Sequence, residues 1–171
     1  MTDRRRLIVM RHAKAEPFAA SDHERRLTDR GRVSARDAGA YLRERGLTPD
    51  HVLVSSAVRT RQTWDAVAEE LDETGTQVDQ DDAWFTGSVD VVADALRSLP
   101  PGTATAMFVG HNPTAAYLCH LLDDGEGDPD AVGGLLQGFP PAALTVLELK
   151  VPWAELGAET GRVVGYHVGQ G

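Results

Sequence analysis

The chain has 171 residues and a net charge of −9, with 42% hydrophobic and 25% charged residues. This acidic, apolar-rich composition excludes disorder as the main state and lacks the basic footprint of a nucleic-acid binder. Cys119 is the one cysteine, so no intrachain disulfide can form, and no apolar stretch approaches the roughly 20 residues of a membrane span. Only Leu7 to Met10 are apolar behind the basic N-terminus, too short a run for a signal peptide, and the expectation is a soluble cytoplasmic protein with a single domain over residues 1–171.

"LIVMR" (7–11) reads as a central strand that stops at a charged pair, Arg11-His12. Thr28 then sits as an N-cap with Asp29 in the first turn, an apolar stripe follows through Ala35, Ala38, Tyr41 and Leu42, and Gly46 marks the stop. "HVLVSS" (51–56) is a second strand. Trp64, Val67, Ala68 and Leu71 repeat at helical spacing after it, with Ser56 as the expected cap. A short strand is allowed before Ser88, which caps a helix whose Val89, Val92, Ala93 and Leu96 share a face. "ATAMFVG" (104–110) is the next buried strand. Asn112-Pro113 reads as an N-cap followed by proline at the first helical position, leading into Tyr117, Leu118, Leu121 and Leu122. Residues 123–141, rich in Gly, Asp and Pro, read as a long loop, and "ALTVLEL" (143–149) and "RVVGYHV" (162–168) as late, antiparallel strands. The alternation predicts an α/β fold, a three-layer sandwich around a mostly parallel central sheet.

In such sheets ligands bind beyond the carboxyl ends of the strands. Three of these ends carry compatible chemistry: Arg11-His12, Arg59 in "SSAVRTRQT" (55–63), and His111 in "GHNP" (110–113). Arg59 falls in the first turn of its helix, where the helix dipole disfavours a cation by a few tenths of a kcal/mol and a bound anion would offset the cost. His111 stands just before a helix N-terminus, a place that favours anions. Taken singly, each residue reads as a solvated charge or a surface histidine. Together they suit a phosphoryl group, because arginine holds its oxygens in bidentate fashion and a histidine can attack phosphorus. Lys14 reads as a solvated loop residue. Asp22, His23 and Glu24 are candidate metal ligands, but no second cluster has ligand spacing, and no metal or other cofactor is expected. There is no phosphate-binding glycine-rich loop and no nucleophile elbow.

At "RHA" (11–13), Arg59 and "VGHNP" (109–113) the sequence resembles the histidine phosphatase superfamily, also called phosphoglycerate mutase-like, over about residues 7–149. "DHERRLTDRG" (22–31) is similar to the family's lead into its first helix, and "RHAKAE" (11–16) most resembles the SixA-type phosphohistidine phosphatase subgroup. Ala13 stands where the motif has glycine. Thr86, in "DDAWFTG" (81–87), stands near the position where many members carry an acidic glutamate, with Asp81 and Asp82 out of register. The resemblance implies that His12 is the nucleophile and that Arg11, Arg59 and His111 hold the phosphoryl oxygens, without a metal. It implies a phosphorylated protein or small phosphorylated molecule as partner, and no nucleic acid or membrane. A site without a strong acid suits phosphohistidine better than a sugar phosphate, since an alkoxide leaving group benefits more from a proton donor. The alternatives are a broad small-molecule phosphomonoesterase or mutase using Asp81 or Asp82 as acid, and a non-catalytic phospho-ligand binding module.

Overall fold

The computed structural model describes residues 4–72 and 75–171. Its strands are β1 (Arg5–Arg11), β2 (His51–Ser55), β3 (Gln77–Asp81), β4 (Thr105–Gly110), β5 (Ala143–Leu149) and β6 (Gly161–Val168). They form one sheet in the order β3-β2-β4-β1-β5-β6. The β1–β4, β2–β4 and β2–β3 pairs are parallel, and the β1–β5 and β5–β6 pairs antiparallel.

β1 is covered on both faces, which is why it reads as an unbroken apolar run rather than an alternating one. Its Leu7 and Val9 feed one core and its Ile8 and Met10 the other. The second core is closed by α1 (Asp29–Glu44) and α2 (Val58–Ala68) through Ala35, Ala38, Leu42, Trp64 and Val67. The first is closed by α4 (Val89–Arg97), α5 (Thr114–Leu122) and α6 (Pro129–Gln137) through Val92, Leu96, Leu118, Leu122 and Leu135. The single turn α3 (Ala83–Thr86) precedes α4.

From β1 the chain steps outward to β2 and β3, then reverses to insert β4 beside β1. A right-handed crossover that changes direction must change face, so α4 lies opposite α1 and α2. The reversal sets the carboxyl ends of β1, β4 and β2 side by side: Arg11 pairs with Gly110, and Val54 with Val109. The loop after β1 is then pinned to α1. Thr28 caps that helix by accepting from the Gly31 N–H, and a Cβ at Gly31 would lie only 2.1 Å from the Lys14 carbonyl oxygen, so only glycine permits this approach.

Three local expectations need correction. Residues 123–141 are not all loop, because Asp128 caps α6 through the Ala131 N–H with Pro129 in the first turn. The pair Gly133-Gly134 hides that helix in the sequence. Gly134 is there because a Cβ would meet the Tyr166 ring at 2.3 Å, a tertiary constraint that local propensity does not show. The cap position of α2 is Ala57 rather than Ser56, whose hydroxyl is engaged elsewhere. At α5 the cap position is Pro113, with Asn112 one residue further out. Asn112 still serves the helix by accepting from the Ala116 N–H through Oδ1, while its Nδ2 donates to the Phe139 carbonyl.

Candidate active site

The end of β1 fixes the first two residues. The His12 backbone N–H donates to the Gly110 carbonyl at 2.9 Å, extending the β1–β4 ladder by one bond and holding His12 beside His111. Their ring centroids are 5.4 Å apart. The next residue, Ala13, is tied to α2 through its N–H and the Thr63 hydroxyl at 3.0 Å, so the same helix that carries Arg59 also anchors the loop behind the histidine. His12 is 8% exposed and Arg59 4%.

The hydrogen bonds assign the histidine tautomers. His12 Nδ1 lies 2.7 Å from the Ala13 carbonyl, which can only accept, so the ring donates there and carries its lone pair on Nε2. Arg59 Nη2 lies 3.3 Å from His111 Nδ1 and can only donate, so His111 carries its hydrogen on Nε2 and donates to the Ser55 Oγ at 2.7 Å. Arg11 flanks the pair, and its Nη1 donates to the Phe139 carbonyl at 3.2 Å. The Nε–H groups of Arg11 and Arg59 are buried without an acceptor among the described residues.

All four expected residues therefore meet at one end of the sheet. The structure adds others that the sequence reading missed. Ser55 orients His111. Asp22 holds Arg59 through its main-chain carbonyl, 2.6 Å from Nη1, and through Oδ2, 3.1 Å from Nη2, while Arg25 Nε donates to Oδ1 at 2.9 Å. Asp22 is thus an arginine partner; among the described residues no three metal-ligating side chains converge. Segment 81–87 sends in an aromatic ring instead of a carboxylate: Phe85 stands edge-on to His111 at 5.5 Å. Thr86 is exposed, and Asp81 caps the following turn through the Ala83 N–H. Ser55 lies inside the "SSAVRTRQT" motif with nothing local to mark its role, and Asp22, directly before a histidine, reads in the sequence as a metal ligand and not as the partner of Arg59.

Electrostatics follow from burial and the two arginines. Burial, with Arg59 and Arg11 nearby, pushes His12 from its ordinary 6.5 down to about 4 despite the opposing Ala13 hydrogen bond. Burial, then Arg59 and His12, pushes His111 down to about 3. Burial would raise the Asp22 carboxyl, but hydrogen bonds from Arg25 and Arg59 outweigh it and hold the group below the usual carboxylate range. At neutral pH both histidines are uncharged among cationic arginines, which leaves the His12 Nε2 lone pair free in a site that attracts anions.

The same shifts make stability pH-dependent. The unfolded chain binds protons at these histidines near 6.5, the folded chain only near 4 and 3, so their contribution is present above 6.5 and is lost as pH falls toward 4. Urea denaturation at pH 7.0, 5.5 and 4.5 is expected to show a falling midpoint, with a smaller fall in His12→Asn; equal falls in the two proteins would contradict this assignment.

A family model described as histidine phosphatase superfamily (branch 1) matches residues 7–84. The phosphohistidine phosphatase SixA of Escherichia coli is 31% identical over 124 residues, covering 72% of this chain and 77% of that one. An uncharacterized protein of Mycobacterium tuberculosis is 32% identical over 163 residues, covering 93% and 99%. Among solved structures, one from Nakamurella multipartitia assigned as a phosphohistidine phosphatase SixA superposes with a TM-score of 0.84 at 31% identity, covering 98% of both chains. A protein histidine phosphatase SixA complexed with tungstate has a TM-score of 0.77 at 26% identity, covering 95% of this chain and 96% of that one.

Proposed function

The chain belongs to the histidine phosphatase superfamily, and from that premise we propose that it hydrolyses phosphohistidine in proteins through a phosphohistidine intermediate on His12. The observation that carries this reading is the fixed tautomer of His12. Its Nδ1 is spent on the Ala13 carbonyl, so the lone pair of the neutral ring is at Nε2, in a ring that stands beside His111 within the field of Arg59 and Arg11.

His12 Nε2 attacks phosphorus in line. The bond to the leaving atom breaks and its electron pair departs with that atom. Arg11 and Arg59 take the equatorial oxygens, where charge is spread in the transition state, and His111, whose one ring hydrogen goes to Ser55, stands beside them as a partner of Arg59. The unpaired Nε–H groups of the two arginines supply donors for them. Water then attacks the phosphorus held on Nε2, the bond from phosphorus to Nε2 breaks with its electron pair returning to the ring, and phosphate is released. A cytoplasmic location belongs to the same proposal, in keeping with a single, buried, unpaired cysteine; among the described residues no helix is long and apolar enough to cross a membrane.

A competition assay tests the substrate. A protein phosphorylated on histidine is offered together with a panel of phosphate monoesters, and dephosphorylation of each is followed by phosphate release and by loss of the histidine label. The expected result is a kcat/KM for the phosphohistidine protein at least tenfold above that of any monoester. A sugar phosphate or phosphoglycerate turned over more efficiently would assign the protein to small-molecule chemistry instead.

A further inference from the structure

An imidazole or alkoxide leaving group must gain a proton, and the four clamp residues offer none: two are arginines and two are neutral histidines whose ring hydrogens are already committed. Asp22 is held as a carboxylate between Arg25 and Arg59. Building on the phosphohistidine-intermediate reading, we propose that His23 is the proton donor to the leaving group, oriented by a hydrogen-bond chain through Ser56 to Asp82.

The placement follows from the loop after β1. Asp22 grips Arg59 with both its main chain and its side chain, so the next residue is delivered beside the clamp. The His23 ring stands edge-on to Phe85 at 5.0 Å, and Phe85 stands edge-on to His111 at 5.5 Å, so a single aromatic ring separates the two histidines. His23 Nε2 lies 3.0 Å from the Ser56 Oγ, whose hydroxyl donates to Asp82 Oδ1. That hydroxyl has one hydrogen and gives it to the carboxylate, so its oxygen accepts from Nε2–H. The chain fixes the ring and leaves Nδ1 without a hydrogen bond among the described residues. Asp82 Oδ1 is itself 4.0 Å from Nε2, a counter-charge for the protonated ring.

The direction of the reaction agrees. In-line displacement puts the leaving atom on the far side of phosphorus from the nucleophile. His12 is 8% exposed, so the leaving atom departs on the solvent side, where the His23 side chain is 36% exposed. As the bond to phosphorus breaks, its electron pair takes the proton from the His23 imidazolium, which becomes neutral. In the second half-reaction neutral His23 accepts a proton from the attacking water, the bond from phosphorus to His12 Nε2 breaks with its electron pair returning to the ring, and His23 is protonated again. Imidazole suits both halves because its ring nitrogen can give a proton in one and take it back in the other.

The test compares leaving groups. p-Nitrophenolate departs without a proton, whereas phenolate is helped by one. In His23→Gln, whose amide can still donate to Ser56, kcat/KM is expected to fall at least 30-fold for phenyl phosphate and less than threefold for p-nitrophenyl phosphate. Asp82→Asn should show the same bias to a smaller degree. Equal losses on the two esters would mark His23 as a structural residue, and no loss on either would remove it from the reaction; both overturn the proposal. Acid-labile labelling of His12 by p-nitrophenyl phosphate is read in the same variants. If that label persists, the phosphohistidine reading stands whatever the fate of His23; its absence from the parent protein would bring down the reading itself.

Discussion

Replacing His12 with alanine is expected to lower turnover by about 10⁴-fold or more on every substrate and to eliminate the acid-labile phosphoenzyme, because the variant lacks the ring nitrogen proposed to bond to phosphorus. The loss should be chemical rather than structural. The backbone bond from residue 12 to the Gly110 carbonyl does not involve the side chain, and β1 is held on its two sides by β4 and β5. Oxyanion binding should survive, since Arg11, Arg59 and His111 are untouched. The affinity for tungstate or inorganic phosphate, measured by calorimetry, is expected to stay within about tenfold of the parent. This separation of binding from catalysis is the sharp part of the prediction. A variant that still carries an acid-labile phosphoryl label places the nucleophile elsewhere, and one that hydrolyses substrate at the parent's rate sinks the covalent route.

Much of this site could be read from the chain alone because the residues that make it sit at the boundaries of strongly patterned elements. Leu7 to Met10, Val52 to Val54 and Ala106 to Val109 are buried on both sides of the sheet, so they appear as uninterrupted apolar runs, and the polar residues at or just past their ends (Arg11, Ser55 and His111) stand at carboxyl ends. The partners of those residues were harder to see. Ser55 bonds across the β2–β4 pairing to His111, a contact set by strand order and not by sequence distance. Asp22 reaches Arg59 from a loop 37 residues away, so the acidic residue beside a histidine read as a metal ligand rather than as an arginine partner. α6 was hidden for a related reason: two of its nine residues are the glycines 133 and 134, and the ring of Tyr166 on β6 dictates the second of them. What remained illegible is therefore of one kind, namely side chains and small residues whose identity is set by a neighbour far along the chain.

Arg59 is expected to give the second large effect, and its consequences reach beyond the lost contact. Its guanidinium is almost fully buried, donates to Asp22 through two nitrogens, and keeps one of them 3.3 Å from His111. Lysine would supply the charge from a single point and could not reproduce a planar fork that spans Asp22, His111 and a phosphoryl oxygen. Arg59→Lys should lower kcat/KM by about 10²–10³-fold, or about 3–4 kcal/mol of transition-state stabilisation. Arg59→Ala should lose more and should also move the histidines. Burial is the main reason that His12 and His111 titrate so low, with Arg59 adding to it, so removing that charge raises both values from about 4 and about 3 toward 6.5 without restoring them fully. Protonation then silences the nucleophile at a higher pH, and the acid limb of any residual activity should move upward. Titration of the two imidazoles by NMR in Arg59→Ala follows this directly. Unchanged values in that variant, or near-parent activity in Arg59→Lys, would mean that Arg59 serves only to hold Asp22 and the loop after β1. Raised values together with the kinetic loss would show one arginine both binding the phosphoryl group and keeping its nucleophile neutral.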